Sequence, residues 1–185
     1  MDSRQGNAPT SSGPRGFSSR LWDRKFPARA HQYFFQCGLA TASLFIILLV
    51  EDAVLRAAIV VAVASTAFTI FVFPNSLAST PRKVIGGHAV AVLTGSVSAA
   101  ILTIPAISAS AEQSRYVLDI IASLAVGSGI LLMVVTNTEH PAAAGTALGL
   151  VIQDWTWSAV AFIMVSALVL SLIRIALRPR LVDLL

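Results

Sequence analysis

Charged side chains are scarce in this sequence. Only 12% of the 185 residues are Asp, Glu, Lys or Arg, whereas 56% are hydrophobic. A soluble domain carries about 25% charged residues, so this chain is poorly suited to a surface that faces water throughout. Because its apolar residues come in long runs, we expect a lipid bilayer to be its solvent and partner. The length leaves no room for a second sizeable soluble domain.

Cysteine is almost absent as well. The single Cys37 cannot form an internal disulfide, and no set of Cys and His residues has the spacing of metal ligands. No serine stands in a nucleophile motif. We therefore expect a protein that is not an enzyme and that holds no metal and no cofactor.

The excess of positive charge is unevenly distributed. The net charge is +4 at neutral pH, and most Lys and Arg residues lie in the N-terminal stretch, in one short loop and at the C-terminal end. A nucleic-acid-binding domain gathers such residues on one face, whereas a membrane protein places them beside its spans on the cytoplasmic side. We therefore expect no nucleic-acid partner.

Six hydrophobic runs follow a polar N-terminal stretch and predict an all-α, polytopic helical bundle in the membrane. Residues 1–30, rich in Ser, Gly, Pro and Arg, predict a flexible basic cytoplasmic tail. Residues 31–178 predict the membrane domain, and residues 179–185 a short cytoplasmic C-terminal tail. A span needs about 20 apolar residues, which only the fifth run fails to approach. The runs are Tyr33–Val50, Ala57–Phe73, Val84–Ile107, Val117–Val135, Ala142–Ile152 and Trp155–Leu177.

The charges between the runs indicate how many of them cross. If the basic tail lies inside, Arg174, Arg178 and Arg180 also lie inside only when the fifth run crosses. We therefore predict six spans with a short fifth and with both termini cytoplasmic. Five crossings plus a re-entrant fifth helix is the alternative. A short crossing makes residues 136–141 reach into the membrane, where non-helical backbone is tolerated only against protein or a water-filled cavity.

The first unusual segment is Thr-Pro-Arg-Lys-Val-Ile-Gly-Gly-His, residues 80–88. Thr80 can cap a helix, and Pro81 suits the first helical position. Gly86 and Gly87 allow another helix to approach closely. His88 then lies about two turns inside the helix, where an ionisable side chain is a functional candidate. The alternative is a packing histidine bonded to a backbone carbonyl.

A second proline-led helix start lies in residues 137–146. Pro141 again suits the first helical position and follows polar residues. A helix N-terminus offers unpaired N–H groups and about half a positive charge, so two such starts facing one cavity would suit an anion. Arg82 and Lys83 add positive potential at the entrance. Glu139 opposes this interpretation unless it pairs with one of them.

These two segments resemble the HPP family of small integral membrane proteins. The similarity is carried by residues 74–88, which include Pro-Arg-Lys-Val-Ile-Gly-Gly-His, and by residues 139–147, which begin Glu-His-Pro-Ala. The family is named for His-Pro-Pro, and Ala142 stands here at the third position. Helix initiation by Pro141 is retained, but the stiffer turn of two prolines is not. The resemblance implies a transporter, and it implies nitrite or a similar small anion as its substrate.

The candidate substrate-binding residues come from both segments. A histidine titrates close to neutral pH, which makes either intramembrane histidine a candidate proton carrier. The helix starts and their polar neighbours are the candidate anion ligands. The full set is His88, His140, Arg82, Asn137, Thr138, Glu139, Gly86, Gly87 and Pro141.

Each of these assignments has a plainer alternative. His140 and Glu139 can be capping residues at a helix start. Arg82 can be an orientation signal rather than a ligand contact. Asn137 and Thr138 can bond only the backbone around them.

The sequence thus predicts a transporter or channel for a small inorganic anion, nitrite-like by resemblance. We expect a multi-pass protein of the cell membrane, and of a bacterial inner membrane in particular. Two other classes stay open. One is a non-transporting membrane subunit that recruits a partner through its basic N-terminal tail, and the other is a membrane metal enzyme that uses His88, His140 and Glu139. A small homo-oligomer is compatible with so few spans, although no residue demands one.

Overall fold

Helices make up all the regular structure in the described part of the chain. The computed structural model describes residues 30–32, 34–36, 38–39 and 57–184. Helical backbone is found at the described residues between 30 and 39. The later elements are α1 Ala57–Val72, a 3₁₀ turn Leu77–Ser79, α2 Pro81–Leu102, α3 Pro105–Gln113, α4 Arg115–Val135, α5 Pro141–Ile152, α6 Trp157–Leu177 and a 3₁₀ turn Arg178–Arg180.

Several predictions about the N-terminal third concern residues that are not described. They are residues 1–29 of the basic tail predicted over residues 1–30, most of the first run Tyr33–Val50, and Cys37. The recruiting role assigned to the tail lies outside the described residues for the same reason.

The predicted helix starts are confirmed at both prolines. Pro81 and Pro141 each occupy the first turn of their helix, where the missing N–H of proline costs no hydrogen bond. Thr80 holds the cap position of α2, but its hydroxyl donates to the Leu77 carbonyl at 2.8 Å and makes no capping bond.

The prediction for the third run is wrong at its C-terminal end. The sequence predicted one span over Val84–Ile107, whereas α2 ends at Leu102 and a separate nine-residue helix begins at Pro105. Ile104 has extended backbone, with φ −66° and ψ 123°. Proline disfavours helical backbone in the residue before it and cannot donate to the preceding turn, so the chain breaks before Pro105.

Three helices are long and apolar enough to cross a membrane by length and composition: Pro81–Leu102, Arg115–Val135 and Trp157–Arg180. Their outer faces carry large apolar side chains. On α4, for example, Leu124 is 65% exposed and Val135 is 73% exposed. A soluble monomer rarely shows so extended an apolar surface. The described helices therefore fit a multi-pass membrane protein.

The helices have two common ends. At the Pro74 end, α1 leads into α2 through residues 73–80, and Arg174 near the end of α6 donates to the Pro74 carbonyl at 2.6 Å and 3.1 Å. At the opposite Trp155 end, the Trp155 indole donates to Ser96 Oγ on α2 at 2.8 Å. Both ends are thus tied by hydrogen bonds between segments distant in sequence.

The C-terminal segment packs onto the Pro74 end. Leu181 and Leu184 are buried, and the Leu184 amide donates to the Val72 carbonyl at 3.0 Å. The Gln36 amide group donates to the Val182 carbonyl at 2.8 Å and accepts from the Val182 N–H at 3.1 Å. Residues 181–184, expected as a short tail, are therefore part of the packed domain.

Helix α5 lies along α2 and points the same way. A Cβ added to Gly87 would lie 2.7 Å from His140 Cβ, and one added to Gly95 would lie 3.0 Å from the Ala147 carbonyl oxygen. The start of α5 is thus level with Gly87, six residues or about 9 Å beyond the start of α2. The other end of α5 meets the Trp155 end, where Val151 packs with α4 residues.

We predict that Gly95→Ala destabilises the bundle by about 1–3 kcal/mol, the usual cost of overpacking a tight interior. The added methyl would meet the Ala147 carbonyl oxygen and Leu150 Cβ, each at 3.0 Å. The measurement is unfolding of the purified protein in detergent, followed by its helical signal.

Gly127→Ala is the matched control. A Cβ at Gly127 on α4 meets nothing within 4 Å, and alanine favours the helix over glycine. This variant should unfold no more easily than the wild type. Equal effects of the two substitutions would contradict the close contact between α2 and α5.

Candidate functional site

His88 lies at the centre of the bundle, on the face of α2 that meets α1 and α5. It is only 1% exposed. Its Nε2 lies 2.9 Å from Thr66 Oγ1 on α1, and its Nδ1 lies 2.9 Å from Thr146 Oγ1 on α5. Both ring nitrogens are therefore paired with hydroxyls from neighbouring helices, which is what a buried polar group requires in a membrane. The alternative of a carbonyl partner for His88 is not what the structure shows.

His140 faces the same hydroxyl from the start of α5. It occupies the cap position of that helix but makes no side-chain capping bond, so the capping alternative is wrong for this residue. Its Nε2 lies 3.0 Å from Thr66 Oγ1, and its Nδ1 lies 2.9 Å from the Ala78 carbonyl oxygen. His140 is 1% exposed.

The two imidazoles and the Thr66 hydroxyl form one unit, here called the His–Thr–His cluster (His88, Thr66 and His140). The ring centroids are 5.3 Å apart and the planes are inclined by 54°. Thr66 is fully buried, and its hydroxyl oxygen also lies 3.0 Å from the Ala62 carbonyl oxygen. Two groups that titrate near neutral pH in water thus share one hydroxyl in the interior.

Gly86 and Gly87 allow the segment before α5 to reach this depth. A Cβ on Gly86 would lie 2.6 Å from Thr138 Cγ2, and one on Gly87 would lie 2.9 Å from the Thr138 carbonyl oxygen. At Gly87 the contact is with backbone, which real Cβ atoms do not approach so closely, so only glycine fits there. At Gly86 the Thr138 side chain would have to move. The structure therefore places these two candidate residues against Thr138 and His140 as packing positions.

Residues 136–140 form an irregular bend between α4 and α5. Asn137 has a φ of 54°, the left-handed region that Asn tolerates better than most residues, and it is exposed. The Thr138 hydroxyl lies 2.8 Å from the Thr136 hydroxyl, and its amide donates to the Met133 carbonyl at 2.8 Å. Thr138 is thus bonded within the bend, and Asn137 faces outward.

The charged candidates lie at the Pro74 end of the same bend. Lys83 and Glu139 form an ion pair. From the sequence, Glu139 was compatible with an anion site only if it paired with Arg82 or Lys83. The hydrogen bond from Lys83 holds the pKa of the Glu139 carboxyl below its ordinary value. Arg82 is exposed and directs Nη2 to the Thr136 carbonyl at 3.5 Å. Because Lys83 is neutralised, Arg82 supplies the remaining positive charge of α2 at this end, where Arg174, Arg178 and Arg180 of the C-terminal segment also lie.

A cavity of about 280 Å³ adjoins the start of α5. Its walls come from α4, from the bend and from α5, and the surface that they present to it is almost entirely apolar, including that of Glu139 and His140. The lining residues are Ile130, Met133, Val134, Glu139, His140, Pro141 and Ala144. Since no residue of α2 lines it, this cavity is not the one shared by both helix starts that the sequence suggested.

A model of the family described as "HPP, transmembrane region" matches residues 26–179. The chain belongs to the HPP family. No curated protein and no solved structure matched it. Membership supports a multi-pass membrane protein of transporter type, which agrees with the apolar helices. In this HPP protein the two segments that carried the resemblance are those that bring His88 and His140 together.

Sequence reasoning missed the residue that joins the two histidines. Thr66 lies in the second apolar run, which also contains Thr69, and a threonine bonded to its own helix is unremarkable there. The Ala78 carbonyl has no sequence signal. Thr146 belonged to the second proline-led segment but was not among the candidate ligands. The available signal was a polar residue inside an apolar run: Thr66 in the second run and Thr146 in the fifth.

In the described part of this HPP protein, no group of three His, Cys, Asp or Glu side chains is placed to hold a metal ion. The metal alternative needed Glu139 beside both histidines, and Glu139 pairs with Lys83 instead. The two imidazoles are engaged with hydroxyls and a carbonyl. The cluster therefore suits hydrogen bonding and proton exchange better than metal binding.

We predict that the stabilising effect of Glu139 disappears in acid. Its pKa is depressed in the folded protein, so its contribution is present above the unfolded pKa of about 4.3 and is lost as the pH falls through the folded value. The unfolding midpoints of wild type and Glu139→Gln should therefore differ at neutral pH and converge in acid. The effect is small because the side chain is 41% exposed.

Glu112→Gln, which changes an exposed glutamate on α3, is the matched control for that titration. Its unfolding midpoint should match that of the wild type at neutral pH, because it leaves the Lys83–Glu139 pair in place. Parallel curves for Glu139→Gln and the wild type would show that the Lys83–Glu139 pair does not stabilise the fold.

Proposed function

We propose that this HPP protein passes a small inorganic anion, of the size and charge of nitrite, across the membrane. The observation that carries the proposal is the His–Thr–His cluster in the interior of the bundle. Ionisable residues inside a membrane are costly, and they commonly mark ion or proton paths. An imidazole also offers a positive charge that can appear and disappear, which suits binding and release of an anion.

The Pro74 end is the proposed mouth of the path. Arg82 supplies positive charge there, and Asn137 is exposed beside it. Positive potential at an entrance raises the local concentration of anions. From this mouth the bend leads inward past Glu139 to His140, which borders the 280 Å³ cavity. In this proposal His140, rather than the backbone of both helix starts, presents the charge that the anion meets.

We also propose six spans with both termini in the cytoplasm. The support comes from α5, whose start is level with Gly87 and whose end meets the Trp155 end. A re-entrant helix would return to the Pro74 end instead. Residues 136–140 lie beside the first turns of α2 and make up the length that the short helix lacks. There they lie against protein, as irregular backbone inside a membrane requires.

Single cysteines in a Cys37→Ser background test this topology. Thr136→Cys and Arg180→Cys should be shielded from a membrane-impermeant thiol reagent in intact cells. Gln113→Cys and Asp154→Cys should react, because Gln113 ends α3 and Asp154 lies between α5 and α6, both at the end of the helices opposite Pro74. Asp154 decides between the alternatives, since a re-entrant α5 would place it on the same side as Thr136.

The transport proposal predicts nitrite flux into proteoliposomes that His88→Ala and His140→Ala each abolish. Each substitution removes a ring that is held by two hydrogen bonds at the centre of the cluster. His31→Ala, which changes an exposed histidine outside the cluster, should keep wild-type flux. Sulfate and formate serve as competitors that report selectivity.

Protein-free liposomes at the same pH are the baseline, because the neutral acid form of nitrite crosses lipid unaided. All variants must keep the helical signal and monodisperse elution of the wild type. Wild-type flux no greater than this baseline, under either sign of pH gradient, would remove nitrite as the substrate. Unchanged flux in both histidine variants would remove the cluster from the path.

A further inference from the structure

The hydrogen bonds around the His–Thr–His cluster allow one arrangement of hydrogens when both rings are neutral. The Ala78 carbonyl can only accept, so His140 carries its hydrogen on Nδ1 and accepts at Nε2. Thr66 must then donate to His140 Nε2 and accept from His88 Nε2–H. His88 Nδ1 in turn accepts from the Thr146 hydroxyl.

One additional proton can be placed on either ring without leaving any of these atoms unpaired. On His88 it occupies Nδ1, which then donates to Thr146 Oγ1. On His140 it occupies Nε2, which donates to Thr66. The Thr66 hydroxyl then donates to His88 Nε2 when the hydrogen of neutral His88 is on Nδ1, or to the Ala62 carbonyl at 3.0 Å when that hydrogen is on Nε2. An unpaired buried polar atom would be costly. These two protonated states are therefore favoured over any state that leaves a buried polar atom without a partner.

We propose that Thr66 relays a single proton between His88 and His140. In the step, the N–H bond at His88 Nε2 breaks as an O–H bond forms at Thr66. The original O–H bond of Thr66 breaks as an N–H bond forms at His140 Nε2. The positive charge passes from one ring to the other, and Thr66 again holds one hydrogen. The two gaps to be crossed, 2.9 Å and 3.0 Å between heavy atoms, are ordinary hydrogen-bond lengths.

The surrounding elements leave this charge on the two rings. Helices α1 and α5 contribute Thr66 and Thr146 and contain no charged residue. Four charged groups near the Pro74 end bond elsewhere: Lys83 with Glu139, Arg82 with the Thr136 carbonyl, Arg174 with the Pro74 carbonyl, and Asp183 with Asn75. Arg178 and Arg180 lie beyond the end of α6. In the part of the chain that is described, no carboxylate bonds either imidazole. An added proton is therefore held by one of the two histidine rings.

The relay rests on the proposed function for its purpose. His140 borders the cavity at the start of α5, whereas His88 is not among its lining residues. A proton on His140 therefore places positive charge on a ring that borders that cavity, and its transfer to His88 moves the charge away from it. The anion would bind when the proton is on His140 and leave when the proton is on His88. Anion flux would thus be coupled to proton movement.

Nitrogen NMR of the full-length protein in lipid, labelled with ¹⁵N at its three histidines, tests the relay without any substrate. At high pH the wild type should show His140 as the Nδ1–H form and His88 as the Nε2–H form. On acidification the two rings should share one proton, with a common midpoint and exchange between their signals. Separate titrations without exchange, or the opposite tautomers, would overturn the relay even if no variant folds.

Thr66→Val removes the hydroxyl with little change in volume and should abolish the exchange, whereas Thr66→Ser should retain it. Thr94→Val is the matched control, because Thr94 is also buried on a helix but bonds only its own backbone. Exchange that persists in Thr66→Val, or that is lost equally in Thr94→Val, would contradict the relay.

A pH dye inside proteoliposomes then separates the relay from the transport proposal. A nitrite gradient should move protons in the wild type and in Thr66→Ser, and this proton movement should be lost in Thr66→Val. Exchange in the NMR spectra with no nitrite flux would leave the relay intact and remove nitrite. Nitrite flux with proton movement that is unchanged in Thr66→Val would remove the relay and leave transport intact.

Discussion

A hydroxyl shared by two imidazoles holds the centre of this bundle. Around it are apolar helices, so a ring nitrogen that lost its partner would find no water to replace it. Thr66 comes from α1, His88 from α2 and His140 from the start of α5, while Thr146 and the Ala78 carbonyl complete the set. The positions of three helices and of the connection before α2 therefore depend on one another through this small group of hydrogen bonds.

The short length of α5 follows from the same constraint. For His140 to reach Thr66, α5 must begin about two turns inside the bundle rather than at its edge, and irregular backbone must fill the remaining depth. Gly86 and Gly87 leave the space for it, since a methyl group at either would collide with Thr138 or His140. The ion pair of Lys83 and Glu139 then closes the bend toward the Pro74 end.

Much of this was predictable from residue patterns. Long apolar runs predicted most of the helices from residue 57 onward, and prolines after polar residues marked the starts of α2 and α5. The break before Pro105 was missed because the apolar run continues through it, although the backbone preference of the residue before a proline foretells it. The bridging role of Thr66 has no local signal, because it depends on contacts between residues 22 and 74 positions apart.

A double-mutant cycle between Thr66→Val and His140→Asn tests most directly whether the shared hydroxyl holds the bundle together. The measured quantity is the free energy of unfolding in lipid or detergent for wild type, both single variants and the double variant. Our account predicts a coupling energy of about 0.5 kcal/mol or more, as residues in one hydrogen-bond network show. Effects that add to within about 0.3 kcal/mol would show that the two residues act independently and would contradict the account.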